Sequence, residues 1–164
     1  MSKSRATAVG IRVRAAQSND CNLMADWAVA MALETEAKML PLATVTAGIQ
    51  AGLDDPARAR YFIAEIAGEP VGTVMVTLEW SDWRNGWWWW IQSVYVAPAH
   101  RRNGVFRALF DHVRDLAAST EGVRGLRLYV ERENAGAQRT YEFVGMKDAG
   151  YRMYELELPR RAKP

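Results

Sequence analysis

Residues 92–110 read QSVYVAPAHRRNGVFRALF, and their types and order suit the binding of an anion. An alternating apolar strand runs up to Ala97-Pro98, a short turn carries Arg101, Arg102, Asn103 and Gly104, and a helix with an apolar stripe follows at once. The first N–H groups of a helix have no acceptor within it, and the aligned peptide dipoles make that end electropositive. A pyrophosphate can therefore be held there largely by main chain. Gly104 lets the backbone approach an anion closely, and Arg101 and Arg102 offer charge-assisted hydrogen bonds. The same residues also fit an ordinary strand-to-helix turn with solvated arginines, and by themselves they leave both readings open.

A second stretch, LRLYVERENAGAQRTYEFVGM over residues 126–146, adds to the first. Together they resemble the GCN5-related N-acetyltransferase (GNAT) superfamily. Its acetyl-CoA signature is Gln or Arg, two residues, Gly, one residue, then Gly or Ala. Arg101 and Gly104 fit that signature and Phe106 departs from it. A strand over 126–130, then Asn134, Ala137, Tyr141 and the pair Gly145-Met146, match the second half of the family pattern at the expected distance. The resemblance extends over residues 11–158 and is most specific over 92–146.

The resemblance implies transfer of an acetyl group from acetyl-CoA to a primary amine of a small molecule or peptide; no metal is expected, since the chain, with His100 and His112 as its only histidines, lacks the Cys and His clustering of a metal site. In that family two central strands splay apart and the pantetheine arm lies between them; by match these are residues 87–96 and 126–130. Val94 then falls where a backbone N–H meets the thioester oxygen, and Val96 where main chain pairs with pantetheine. Arg101, Arg102, Asn103, Gly104, Val105 and Phe106 form the matched cofactor loop. Tyr141 matches the acid that protonates the departing CoA thiolate; the bland reading is a half-buried aromatic anchoring the last helix. Asn134 matches a cofactor-contacting amide and serves equally well as a helix N-cap. Phe106 replaces a small residue; its place on the stripe with Leu109, Phe110 and Val113 turns the ring toward the core.

Some family members carry a catalytic Glu four residues before the position matched by Val94. That position is Trp90 here, so either the base comes from elsewhere or the amine loses its proton through water. Glu79 and Asp82 in EWSDW are candidates, as are Glu34 and Glu36, each weighed against a solvated surface carboxylate; Glu79 is preferred. The WWWW run over 87–90 puts two rings on each face of a strand, mostly as core. Trp80 and Trp83, in or beside the hairpin, are harder to bury. They suit either an acceptor pocket, where a cationic amine is attracted to their faces, or an interface in a homodimer. Glu34 is the other residue assigned to the acceptor. The competing reading from another class is a catalytically idle acyl-CoA-binding or sensor module of the same fold.

The elements that must position these residues alternate between strand and helix. Ile11 and Val13 alternate with arginines in a first strand. Ser18, Asn19 and Asp20 offer N-caps for a helix whose apolar face is Leu23, Trp27, Ala30 or Met31, and Leu33. Pro41 interrupts it, and Thr44 offers a cap for a second helix through Val45, Ile49 and Leu53. Strands over 61–67, 71–79 and 87–96 form a meander, with Asn85-Gly86 as a type I′ hairpin signal. A helix over 105–118 repeats Val105, Phe106, Leu109, Phe110, Val113 and Leu116, with Arg107, Asp111, Arg114 and Asp115 opposite. A last helix over 135–143 has Gly145 as a left-handed C-cap. Tyr154, Leu156 and Leu158 alternate with Met153, Glu155 and Glu157 in a strand that closes the sheet. The expected fold is α/β of the α+β kind: a mixed, mostly antiparallel sheet flanked by helices, with a splay between its fourth and fifth strands.

With 164 residues and 49% hydrophobic content the chain can fill one substantial core, and no shift in composition marks a linker. The reading is one domain over 11–158, a disordered lead-in over 1–10 and a basic tail over 159–164. A net charge of +2, with acidic residues interrupting the arginine face of the 105–118 helix, points away from nucleic acid and from anionic membranes. The one cysteine, Cys21, excludes an intramolecular disulfide and suits a reducing cytosol, so a cytoplasmic location is expected. No segment reads as a signal peptide or a membrane span.

Overall fold

In the computed structural model, which describes residues 10–159, five strands form one sheet in the order β1-β2-β3-β4-β5. These are β1 (Ile11–Ala15), β2 (Arg60–Ile66), β3 (Glu69–Ser81), β4 (Gly86–Val96) and β5 (Val123–Arg127). The first four pair antiparallel and β5 runs parallel to β4, the mixed, mostly antiparallel sheet expected. The lead-in, apart from Gly10, and residues 160–164 of the tail lie outside the described residues.

Contact density divides the chain into two units, Met1–Tyr129 and Val130–Pro164. In the first, successive residues of β2 face opposite layers. Ile63 packs with Cys21, Met24 and Ala25 of α1 (Cys21–Glu36) and with Ile49 of α2 (Leu42–Asp54). Phe62 meets His112 of α3 (Val105–Ser119) edge-on, with ring centroids 5.0 Å apart. The stripe of α3 is buried at Val105, Leu109, Phe110 and Val113 as its periodicity requires, and each such side chain contributes about 1.5–3 kcal/mol by leaving water. On the opposite face Arg107 and Arg114 both bond Asp111, at 2.8 and 2.6 Å.

Several local expectations are corrected. The buried face of α1 is Cys21, Met24, Ala25 and Ala32, while Leu33 is 56% exposed. Small residues let the helix lie close to Ile49 and Ile63, a packing that side-chain size alone did not suggest. Asp20 does not cap α1 through its side chain. It is buried, takes two bonds from Arg14 at 2.7 and 2.9 Å, and accepts the Gln17 N–H at 2.7 Å. Arg14 also donates to Glu65 at 2.6 Å, so one guanidinium serves two carboxylates. α2 starts at Leu42 after Pro41, not at Thr44, because the proline supplies a suitable φ of −65° and lacks only an N–H.

The β3–β4 connection is longer than a type I′ turn. The last pair is Ser81 with Gly86, a 3-10 turn spans Asp82–Arg84, and Asn85 alone in this loop is left-handed, with φ 43°. Gly86 belongs to the strand, where an added Cβ would lie 2.5 Å from the Arg124 side chain and from the carbonyl of Gly122. β5 ends at Arg127 rather than at residue 130, because its ladder with β4 stops there.

In the second unit, α4 (Ala135–Phe143) is capped by Asn134, whose Oδ1 accepts the Ala137 N–H at 3.0 Å. Gly145, at φ 94°, ends it. The N–H of Gly145 reaches the carbonyl of Glu142 at 2.9 Å and that of Met146 the carbonyl of Tyr141 at 3.0 Å, the paired bonds of a Schellman motif. The strand expected at residues 153–158 is absent among the described residues: no ladder pairs with it, and a strand needs a neighbour for its main-chain bonds.

Candidate active site

The centre of the candidate site is an irregularity in β4. Met75 pairs with Gln92 and Thr73 with Tyr95, so Val74 alone on β3 faces two residues, Ser93 and Val94, on β4. The extra residue is a bulge, and it forces Ser93 into the left-handed region at φ 48°. On the other side of β4 the parallel ladder ends at the pair Trp90 and Arg127. Among the described residues, 91–96 therefore have β3 as their only ladder, and Val94 lies in the bulge itself. Val96 is back in register, opposite Gly72. Gly72 carries its own signal: a Cβ there would sit 2.8 Å from the Tyr95 carbonyl and 3.0 Å from Val105 Cγ1. Its lack of a side chain lets the first residue of α3 close over the end of β4, a role the sequence reading passed over.

The loop from β4 to α3 carries the matched cofactor residues. After a 3-10 turn at Pro98–His100, Arg102 and Gly104 take positive φ, 64° and 83°. Gly104 is the N-cap of α3, and its carbonyl accepts the first helical bond, from the Ala108 N–H at 3.0 Å. Left-handed residues beside a helix start turn successive amides toward one side, the arrangement of an anion-binding nest. The ring of Phe106 lies against Phe110, with centroids 6.1 Å apart. Arg102 and Asn103 are exposed. Arg101 is engaged: Nε donates to the Val96 carbonyl at 3.0 Å and its two terminal nitrogens to Glu34 at 2.5 and 2.7 Å. Arg101 holds the Glu34 carboxyl below its usual range, and Glu34 pushes the guanidinium pKa up. Two residues that sequence reasoning assigned to different ligands are thus joined to each other.

Glu79, Trp88 and Trp90 belong to one face of the sheet. Oε1 of Glu79 accepts from Arg127 at 2.6 Å and Oε2 from Trp90 Nε1 at 2.5 Å. The Arg127 guanidinium also stacks on Trp88, 4.1 Å from its ring centroid, and Arg84 lies 5.2 Å from that ring. Trp88 packs closely over Gly125, where no side chain would fit. Its Nε1 is buried without a hydrogen-bond partner. Tyr129 lies 6.3 Å from Trp90, centroid to centroid. Gln92 bonds Thr77 at 2.7 Å. Trp80 pairs with Trp87 on the opposite face, edge-on at 5.0 Å, and Trp83 sits in the connecting turn, 89% exposed. Glu79 and Trp80 therefore do not share a surface. Trp88 and Trp90, read mainly as core, are the aromatic residues beside the carboxylate; the alternation of the WWWW run contained that signal once Glu79 was paired with Trp88.

In the second unit Asn134 is the N-cap described above, and Tyr141 lies two residues before the end of α4. Burial pushes the Tyr141 phenol up from its ordinary value, so it keeps its proton at neutral pH and can act as a donor. Among the described residues no group of three or more His, Cys, Asp or Glu is placed to hold a metal, and no helix is long and apolar enough to cross a membrane.

A sequence model of the acetyltransferase (GNAT) family matches residues 24–146. The chain belongs to the GNAT family. As a GNAT protein it is an acyltransferase, from a family whose general reaction is acetyl transfer with acetyl-CoA as co-substrate. It is similar to the crystal structure of a possible acetyltransferase from Clostridium difficile 630, at 40% identity and a TM-score of 0.86, over 92% of this chain and 99% of that one. A GCN5-related N-acetyltransferase from Ralstonia eutropha JMP134 has the same fold, with 20% identity and a TM-score of 0.73 over 90% of this chain and 99% of that one. So does a ribosomal-protein-alanine N-acetyltransferase from Brucella melitensis biovar Abortus 2308, with 20% identity and a TM-score of 0.71 over 91% and 100%. No curated protein matches the chain.

Proposed function

We propose that this GNAT protein is an acetyl-CoA-dependent N-acetyltransferase acting on a primary amine of a small molecule or peptide, by direct attack of the amine on the thioester. In this reading residues 11–158 work as one acetyltransferase domain. The observation that carries it is the bulge at Ser93 and Val94 beside the point where β5 leaves β4. Main chain left without a ladder there is available to a ligand, which fits an extended amide-bearing arm such as pantetheine.

Acetyl-CoA supplies the activated acyl group. Val96 pairs its main chain with the pantetheine, and the Val94 N–H stabilises the charge that develops on the thioester oxygen. A prepositioned donor of this kind contributes about 3–4 kcal/mol to lowering a barrier. The main chain of Arg101, Arg102, Asn103, Gly104, Val105 and Phe106 cradles the diphosphate, with guanidinium charge at its rim. Asn134 contacts the cofactor while capping α4. Tyr141 donates its proton to the CoA thiolate. Glu79 takes the proton of the amine, its carboxylate oriented by Arg127 and Trp90, and Trp90 with Tyr129 walls the acceptor. Glu34 acts at this site through its hold on Arg101.

Calorimetric titration with acetyl-CoA, against desulfo-CoA and adenosine diphosphate, tests the reading. Saturable one-to-one binding that needs the pantetheine arm, followed by amine-dependent CoA release, is expected. An absence of binding at millimolar acetyl-CoA would overturn it.

A further inference from the structure

The turn between β3 and β4 holds a charge that its neighbours in the first unit leave unmatched. Arg84 stands in that turn with its guanidinium over the Trp88 ring, 5.2 Å from the centroid, while that of Arg127 lies over the same ring at 4.1 Å. Two cations thus share one indole. Arg127 is bonded to Glu79 at 2.6 Å. Among the described residues of the first unit no carboxylate bonds Arg84, and Asp82 of the same turn accepts the Trp83 N–H at 2.8 Å instead. The group formed by Arg84, Arg127 and Glu79 carries one surplus positive charge.

The main chain of Arg84 is fixed in place. Arg124 donates to the Arg84 carbonyl at 3.1 Å and to that of Asn85 at 3.0 Å, so β5 pins the turn from which the side chain extends. Gly86 makes room for this clamp, since an added Cβ would meet Arg124 Nε at 2.5 Å. A ring face attracts a guanidinium but offers it no lone pair, so the N–H fork of Arg84 is left for another acceptor. That fork matches a carboxylate, which takes two parallel bonds from it. An ammonium has the opposite need, and Glu79 meets it. Glu79 is paired across the ladder with Trp88, the ring on which Arg84 rests. A molecule with an amine and a carboxylate therefore finds both partners along one stretch of sheet. A carboxylate also equals the surplus of one charge, whereas a phosphate group, at about −1.5 to −2, exceeds it and is repelled by Glu79.

We propose that Arg84 sets the acceptor specificity of this site, and that the acceptor is an amino acid or short peptide whose carboxylate Arg84 binds while its amine lies at Glu79. The residues involved all belong to the first unit. The inference rests on the N-acetyltransferase reading for the role of Glu79, and on the geometry of Arg84, Trp88 and Arg124 for the anion.

Acetyl transfer to glycine, β-alanine, 4-aminobutyrate and glycylglycine, each beside its carboxamide, tests it; chain length and the dipeptide distinguish a free amino acid from a peptide end. The best carboxylate should exceed its amide about 10- to 100-fold in kcat/KM, the range of a charge-assisted hydrogen bond. Arg84→Ala, checked for folding by circular dichroism, should bring that ratio to about one, with the loss falling on the KM of the acid. Arg84→Lys keeps the charge without the fork and should retain only part of the preference. Amides used as well as the acids by wild type, or a preference that survives Arg84→Ala, would overturn the assignment. Tryptophan emission gives a readout independent of turnover, because the anion arrives beside Trp88. The acids should shift it saturably and more strongly than their amides in wild type, and not in Arg84→Ala. If no amine is acetylated the transferase reading fails, and emission still decides the anion site: an equal response to acid and amide would overturn it.

Discussion

Arg101 lays its guanidinium fork across both carboxylate oxygens of Glu34 while its Nε holds the carbonyl of Val96. One side chain thereby joins α1, the end of β4 and the loop before α3. Phosphate and carboxylate compete for the same fork geometry, so a diphosphate in that loop must share Arg101 with Glu34. Glu34→Gln should therefore tighten acetyl-CoA binding about two- to fivefold, the range expected of an exposed ion pair. Titration calorimetry at low salt measures it, and the gain should shrink as salt screens the charges. Unchanged or weaker affinity would make Arg101 a strut and not a phosphate ligand.

Two further variants should separate binding from chemistry. Gly104→Glu puts bulk and negative charge at a left-handed N-cap, and is expected to raise the acetyl-CoA Kd by at least tenfold with the fold intact. Tyr141→Phe should lower kcat about 10²- to 10⁴-fold, as loss of a positioned acid does, and leave the cofactor Kd near wild type. Steady-state kinetics beside calorimetry distinguishes the two signatures. A fully active Tyr141→Phe removes the acid role.

Glu79 is bonded on both oxygens, to Trp90 and to Arg127, and those bonds orient its carboxylate. For Glu79→Gln a fall in kcat of about 10²-fold is expected, with the KM for acetyl-CoA unchanged, if it receives the amine proton. Arg127→Ala frees one oxygen and should lower kcat through loss of orientation while the KM for acetyl-CoA stays unchanged, a split that mere loosening of the sheet would not produce. An unaltered kcat in both variants would leave deprotonation to water.

The buried Asp20 gathers two bonds from Arg14 and one from the Gln17 amide. Asp20→Ala should cost about 2–4 kcal/mol in urea unfolding, because Arg14 keeps its charge and loses one of its two carboxylates. A loss below about 0.5 kcal/mol would show that Glu65 alone satisfies Arg14.

His112 supplies a pH dependence. Burial holds its imidazole below the usual value, with Asp115 opposing weakly. Below about pH 6.5 the unfolded chain binds a proton that the folded chain resists, so stability falls as the pH drops through that window and levels off below the folded pKa. The Tm should decline from pH 7.5 toward 5.5, and His112→Leu should flatten that limb. An equal slope in the variant would assign the decline to other groups.

What was legible in the sequence was whatever local pattern decides. The stripe of α3 is a 3.6-residue repeat, and the ends of α4 are announced by Asn134 and Gly145, whose side-chain oxygen and free φ do the capping. What was not legible depends on partners distant in the chain. The bulge at Ser93 exists only against the register of β3, and nothing in QSVYV marks which residue is extra. The buried face of α1 follows from how closely Ala25 and Ala32 let it approach, so large apolar residues were a poor guide. The C-terminal alternation does have strand character, but a strand also requires a neighbour, and no local pattern says which edge provides it. At the candidate site, the Glu34–Arg101 and Glu79–Arg127 pairs span 67 and 48 residues of chain, beyond the reach of any motif.

The tryptophan run of β4 also gives the molecule a built-in optical record. Trp89 is buried beneath Arg60, Trp88 has the guanidinium groups of Arg84 and Arg127 over its ring, Trp90 gives its indole N–H to a carboxylate and Trp87 meets Trp80 edge-on. Indole emission follows nearby charge and polarity, so four adjacent residues sit in four electrically different surroundings. An amine that arrives beside Glu79 changes the field at Trp90 first, and its binding can be followed by intrinsic fluorescence with no label attached.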